Sequence, residues 1–192
     1  MPKIVNHKLK RRELAKAAVE VISNIGIENL RLVDVAREIV ATTSMVTRYL
    51  GDKDAVLSAA LDYVAAELLS HEPKSMSVVE LWSLLYEVLP VDTYRRNHWK
   101  VWLAYWSRAA NSSELAKIQP HYNDQFKKNL LMALAPHDLP ENGLSREEVA
   151  DAVCTTIDGI AANATVEPRS WSATKQRRQL TILLTPILGA PK

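Results

Sequence analysis

At 192 residues and 47% apolar, the chain has enough material to bury a sizeable core without covalent staples, and its single cysteine, Cys154, excludes an internal disulfide framework or a cysteine-based zinc site. The net charge of +2 is unevenly divided: residues 1–58 hold ten Lys/Arg against seven Asp/Glu, the remainder fourteen against fifteen, and the basic Lys3, Lys8, Lys10, Arg11 and Arg12 open the chain before any acid. Charges break every apolar run well short of a membrane span or a secretory h-region, so a reducing, cytoplasmic setting with no membrane contact is expected.

Glycine is scarce and no alternating strand pattern of useful length occurs, which predicts an all-α fold. A first helix over 9–25 carries Leu14, Ala17, Ala18, Val21 and Ile22 on one stripe, with Gly26 as a left-handed stop. Two short striped segments follow, 32–39 and 43–50, three or so residues apart. Asp52 caps a longer helix over 53–70. Ser77 with Glu80 and Ser145 with Glu148 form capping boxes that start helices near 78 and 146. Between them lie helices at about 92–110 and 113–134, the second bent or delayed by Pro120. A last helix, about 172–187, ends near Pro186 and carries Leu180, Leu183, Leu184 and Ile187.

Three helices within about fifty residues, the second and third short and tightly joined, have the layout of a helix-turn-helix. In the third, Val46 and Leu50 can pack inward on Val35, Ala36 and Ile39, leaving Thr43, Ser44, Thr47 and Arg48 outward. Small hydroxyls are mediocre in helix interiors, but they let a backbone approach base edges and can donate or accept there; Arg48 suits guanine or a phosphate. Thr42, Tyr49 and Arg31 flank the same surface. Lys53 at the next helix start, with Lys8, Lys10, Arg11 and Arg12 upstream, can meet flanking phosphates. The competing readings are a solvated surface helix and a frayed basic terminus.

The ordered set Arg11, Ala17, Ala18, Ile22, Gly26, Val35, Ala36, Thr42, Tyr49, Leu50, Lys53 and Leu57 resembles the DNA-binding region of the TetR-type transcriptional repressors over about fifty residues. Val40 stands where that pattern has a turn glycine, and a β-branched residue resists positive φ. Thr47 replaces the pattern's first aromatic, which implies an operator unlike those of close relatives. The resemblance implies an N-terminal helix-turn-helix domain, 1–52, followed by a larger helical effector-binding and dimerisation domain, 53–192.

In the later part, Trp99, Trp102 and Trp106 fall within about 60° of one another on a helical wheel, and Trp82 and Tyr86 are an i, i+4 pair. These rings could form an aromatic box for a cation, with Asp158 as its partner, or could face the core. WKVWLAYW and TTIDGIAANA resemble segments of the sensor domain in choline-responsive repressors of glycine betaine synthesis, with Ala161 where an aromatic usually stands. Helix 146–166 is rich in small residues; with helix 172–187 it could form a homodimer interface or close the monomer's own core. A homodimer suits palindromic double-stranded operator DNA, whose successive major grooves lie about 34–36 Å apart. Scattered histidines, including His7, His71, His98, His121 and His137, and the lack of a phosphate loop speak against a small helical enzyme, a metal or a cofactor. A non-specific architectural DNA binder would need basic residues throughout. The expected function is a small-molecule-responsive repressor.

Overall fold

The computed structural model describes residues 7–68, 76–140 and 143–191; Lys3, His71 and the expected helix residues 69–70 lie outside them. The all-α class is as expected. In chain order the helices are α1 (His7–Asn29), α2 (Leu32–Glu38), α3 (Thr43–Tyr49), α4 (Lys53–Leu68), α5 (Val78–Glu87), α6 (Thr93–Ala109), α7 (Ser113–Ala116), α8 (Gln119–Leu134), α9 (Arg146–Val166) and α10 (Ala173–Leu188). The chain forms two compact units, Met1–Leu68 with Lys100–Ala116, and Leu69–Trp99 with Lys117–Lys192. Within the first of them α4 packs on α1.

In the first unit, the α1 stripe of Leu14, Ala17, Ala18, Val21 and Ile22 is buried, as are Val56, Leu57, Ala60, Leu61 and Val64 of α4. Gly26 ends the regular run of α1, as expected. It takes φ 77° and ψ 156°, a break that only glycine adopts readily, and a short turn to Asn29 follows the kink. Val101 and Tyr105 of α6 are also fully buried, the phenol donating to the Leu115 carbonyl at 2.5 Å. That bond satisfies a hydroxyl that would otherwise be costly to bury.

The α2–α3 turn closes on Val40. Val40 N–H donates to the Arg37 carbonyl at 3.2 Å and Ala41 N–H to the Ala36 carbonyl at 2.8 Å, the two bonds of a Schellman C-cap. Such a cap places its central residue in the left-handed region, and Val40 obeys at φ 53° although it is β-branched. Its side chain is 97% exposed, so burial does not offset the strain. The turn therefore keeps the geometry a glycine would give.

In the second unit both capping boxes form. Ser77 N–H donates to Glu80 at 2.6 Å and accepts back at its hydroxyl from Glu80 N–H; Ser145 and Glu148 repeat the pattern at 2.8 Å. Where one helix was expected over 113–134 there are two, because Pro120, lacking an amide donor, sits in the first turn of α8. Pro186 lies inside the last turn of α10 and does not end it; Gly189 follows at φ 80°. Leu180, Leu184 and Leu188 of α10 are buried, as are Val149, Val153, Ile157 and Ile160 of α9, which packs against it. Leu183 is not part of that inward stripe and is about half exposed, as is Ile182.

Candidate nucleic-acid interface and aromatic clusters

Helix α3 is divided in the way a groove-reading helix requires. Val46 is fully buried and Leu50 nearly so, beside buried Val35 and Ala36, while Thr43, Ser44, Thr47 and Arg48 are exposed. Ile39 is only half-buried. Thr42 is the N-cap, its hydroxyl accepting from Met45 N–H at 3.2 Å and lying 3.0 Å from the Ser44 hydroxyl. Thr47 donates its hydroxyl back to the Thr43 carbonyl at 3.1 Å. The Thr42 hydroxyl thus caps the seven-residue helix, while the Thr47 hydroxyl is turned back onto its own backbone.

The cations around α3 have partners within the unit. Arg11 donates to the Tyr49 carbonyl at 2.8 Å. Arg48 lies 5.9 Å from the Tyr49 ring, which in turn stands 5.3 Å from His7. Lys10 pairs with Glu13 at 2.9 Å, and Arg12 pairs with Glu67 at 2.7 Å while lying over Tyr63. Arg31 pairs with Asp34 through both carboxylate oxygens, which holds that carboxyl below its usual range. Lys53 donates to the Glu28 carbonyl at 2.7 Å. Lys8 is exposed on the first turn of α1. Exposed pairs of this kind are worth at most about 1 kcal/mol, so a phosphate could replace any of the carboxylates.

The aromatic residues come together in pairs. In the second unit Trp82 and Tyr86 have ring centroids 5.8 Å apart, and the Tyr86 hydroxyl meets that of Thr181 at 2.7 Å. Trp82 is 1% exposed and its indole N–H has no acceptor among the described residues. The Arg177 guanidinium lies 6.0 Å from the Tyr86 ring, so this ring already faces a cation. Trp99 is buried and donates to the Val88 carbonyl at 2.8 Å. In the first unit Trp102 and Trp106 have centroids 6.2 Å apart, with Tyr105 edge-on to Trp102.

Asp158 on α9 is half-buried, and burial raises its pKa to about 6. Burial likewise raises the Cys154 thiol, to about 11, and the nearby Asp158 and Asp151 charges add to the shift. A thiol so protonated is a small packing group at neutral pH. Among the described residues no helix is long and apolar enough to cross a membrane, and no cluster of His, Cys, Asp and Glu could hold a metal ion.

The sequence pattern did not reveal a polar network within the first unit. Arg108 of α6 binds Glu28 and Asp54, and Lys100 donates to the Ser23 carbonyl at 2.9 Å. These partners stand 54 to 80 residues apart, beyond any local spacing rule.

Residues 80–189 match the family model for the C-terminal part of BetI-type transcriptional repressors. The chain is 26% identical over 166 residues to the HTH-type transcriptional regulator BetI of Paraburkholderia phymatum, covering 83% of each. It is 23% identical over 174 residues to the regulator PksA of Bacillus subtilis, covering 88% of this chain and 84% of that one. Among solved structures, a transcriptional regulator from a Rhodococcus species superposes with a TM-score of 0.77 at 24% identity, covering 92% of this chain and 97% of that one. A regulator from Saccharomonospora viridis, solved in complex with choline, superposes with a TM-score of 0.73 at 19% identity, covering 94% and 98%.

Proposed function

The chain belongs to the BetI-type transcriptional repressors, and from that premise we propose that it is a ligand-responsive repressor whose α3 reads a palindromic operator as part of a homodimer. The observation that carries this reading is the division of α3: Val46 is locked into the core while Thr43, Ser44, Thr47 and Arg48 stand outward on the same seven residues. Thr42 and Tyr49 bound that surface, and Lys8, Lys10, Arg11, Arg12, Arg31 and Lys53 supply the cations that exchange their internal partners for phosphates. Residues 1–52 carry the DNA reading; sensing and dimerisation belong to the remainder. Two-fold pairing is favoured because recognition helices must enter successive major grooves, and half-exposed Ile182 and Leu183 offer an apolar surface for it.

The effector is a small cation. Asp158 supports this choice, because a half-buried carboxylate is costly to keep charged until a cation arrives. The Tyr86 ring, beside which the Arg177 guanidinium lies, is a face that accepts a cation, and the choline in the Saccharomonospora viridis neighbour is a quaternary ammonium of the same class. Selection of duplexes from random DNA with the purified protein tests the whole reading. A two-fold-symmetric consensus held against scrambled competitor is the expected result; retention of every sequence alike would make the protein an architectural DNA binder.

A further inference from the structure

The tail of α1 is held from outside its own helix. The break at Gly26 interrupts the backbone ladder, and the Ser23 carbonyl just before it accepts from Lys100 of α6, while the Glu28 carbonyl just after it accepts from Lys53 of α4. At the same point Arg108 closes a fork on the Glu28 carboxylate, Nε to Oε1 at 3.2 Å and Nη2 to Oε2 at 3.1 Å, and its remaining nitrogen, Nη1, binds the Asp54 carboxylate in the first turn of α4. One guanidinium thus joins the end of α1, the start of α4 and the last turn of α6. A two-toothed fork with a third bond differs from an isolated surface pair, since its geometry is fixed by two partners at once. The Glu28 side chain is 72% exposed and that of Asp54 49%, so neither carboxylate is held there by burial.

We propose that Arg108 is a positioning residue that couples α6 to the recognition helix, by fixing the α1 tail and the α4 head to α6 so that the three shift together. The route onward is already described: α1 carries Arg11, which holds the Tyr49 carbonyl of α3, and the α1 tail leads directly into α2. Coupling of this kind is reciprocal, so whatever α6 imposes on α3, DNA bound at α3 imposes on α6. This last statement rests on the DNA-binding reading; the anchoring itself does not.

The test is hydrogen exchange by mass spectrometry on full-length protein, comparing wild type with Arg108→Ala, first without DNA. Exchange at 27–31 and 52–56 should rise together by about tenfold or more, with 14–21 unaffected, and Arg108→Lys, a point charge without a fork, should recover part of the protection. Glu28→Gln should loosen only the first segment and Asp54→Asn only the second, which keeps the test decisive if Arg108→Ala fails to fold. With a duplex recovered by random selection, wild type should gain protection at 102–108 on binding and Arg108→Ala should bind without that gain. Unchanged exchange at 27–31 and 52–56 in all variants overturns the anchoring, and equal gains at 102–108 in wild type and variant overturn the coupling. Failure to recover any preferred duplex refutes the DNA reading instead, and the DNA-free comparison still decides the anchoring.

Discussion

Arg11 reaches across from α1 to place its guanidinium 2.8 Å from the main-chain carbonyl of Tyr49, the last residue of α3. Free carbonyls and the negative end of the dipole gather at a helix C-terminus, so a cation there stabilises a helix too short to persist alone. Arg11→Ala should lower the unfolding free energy by about 1 kcal/mol, measured by denaturant titration, and weaken binding to all duplexes by a similar factor. A change in which base is preferred would instead make Arg11 a reader of sequence.

Arg48, exposed and stacked near Tyr49, has the opposite expectation. If it grips guanine, Arg48→Ala costs about 1–3 kcal/mol at one base pair and relaxes preference there. Competition binding against a panel of single-base variants checks it, and uniform weakening across the panel would assign the residue to phosphate.

Val40 stores strain in the turn between α2 and α3. A glycine relieves a left-handed β-branched residue but adds freedom to the unfolded chain, so Val40→Gly should raise stability by a net of about 0.5–1 kcal/mol. Nothing packs on that side chain, which stands 97% exposed, so no burial is lost. A fall in stability would mean that the valine makes a contact on the folded surface.

Asp158 should leave a signature in pH. An unperturbed aspartate loses its proton near pH 4, whereas here it does so at about 6. Between those values the folded state binds the extra proton, so this group makes stability fall as pH rises from about 4 to about 6 and then level off. Carboxyls held low by hydrogen bonds, such as Glu80 and Glu148, contribute the opposite slope at more acid pH. The quantity to measure is therefore the difference between wild type and Asp158→Asn, which should grow in favour of the variant up to pH 6. A cationic ligand that pairs with Asp158 should release protons on binding below that pH, as calorimetry in two buffers would register.

Ile182 and Leu183 are each about half exposed on α10. If they face a second copy, Ile182→Glu should shift the protein toward monomer by light scattering and weaken binding to a two-fold site much more than to a half-site. A persistent dimer would put the interface elsewhere.

The capping boxes at Ser77 and Ser145 and the Asp52 cap, which accepts from Ala55 N–H at 2.9 Å, were legible because each signal lies within four residues. The two faces of α3 were legible for the same reason. The break at Gly26 was legible from the glycine itself, but the capture of the nearby Glu28 and Ser23 carbonyls by Lys53 and Lys100 was not, because those lysines lie 25 and 77 residues away. Likewise Leu183 shares a helical stripe with Leu180 and Leu184, yet the stripe is wider than the surface of α9 it covers, and only the last two are buried. Trp99 shares a helical-wheel face with Trp102 and Trp106; its bond to the Val88 carbonyl, eleven residues away, was not legible from that spacing.

Thr47 has already given its hydroxyl proton to its own backbone. Toward a groove it can therefore present oxygen only as an acceptor, and acceptors find partners in the exocyclic amino groups of adenine and cytosine. Guanine, whose edge offers two acceptors of its own, has nothing to gain there and falls instead to the donors of Arg48. Two residues one position apart on a single turn would thus separate adenine and cytosine from guanine by the direction in which their hydrogen bonds run.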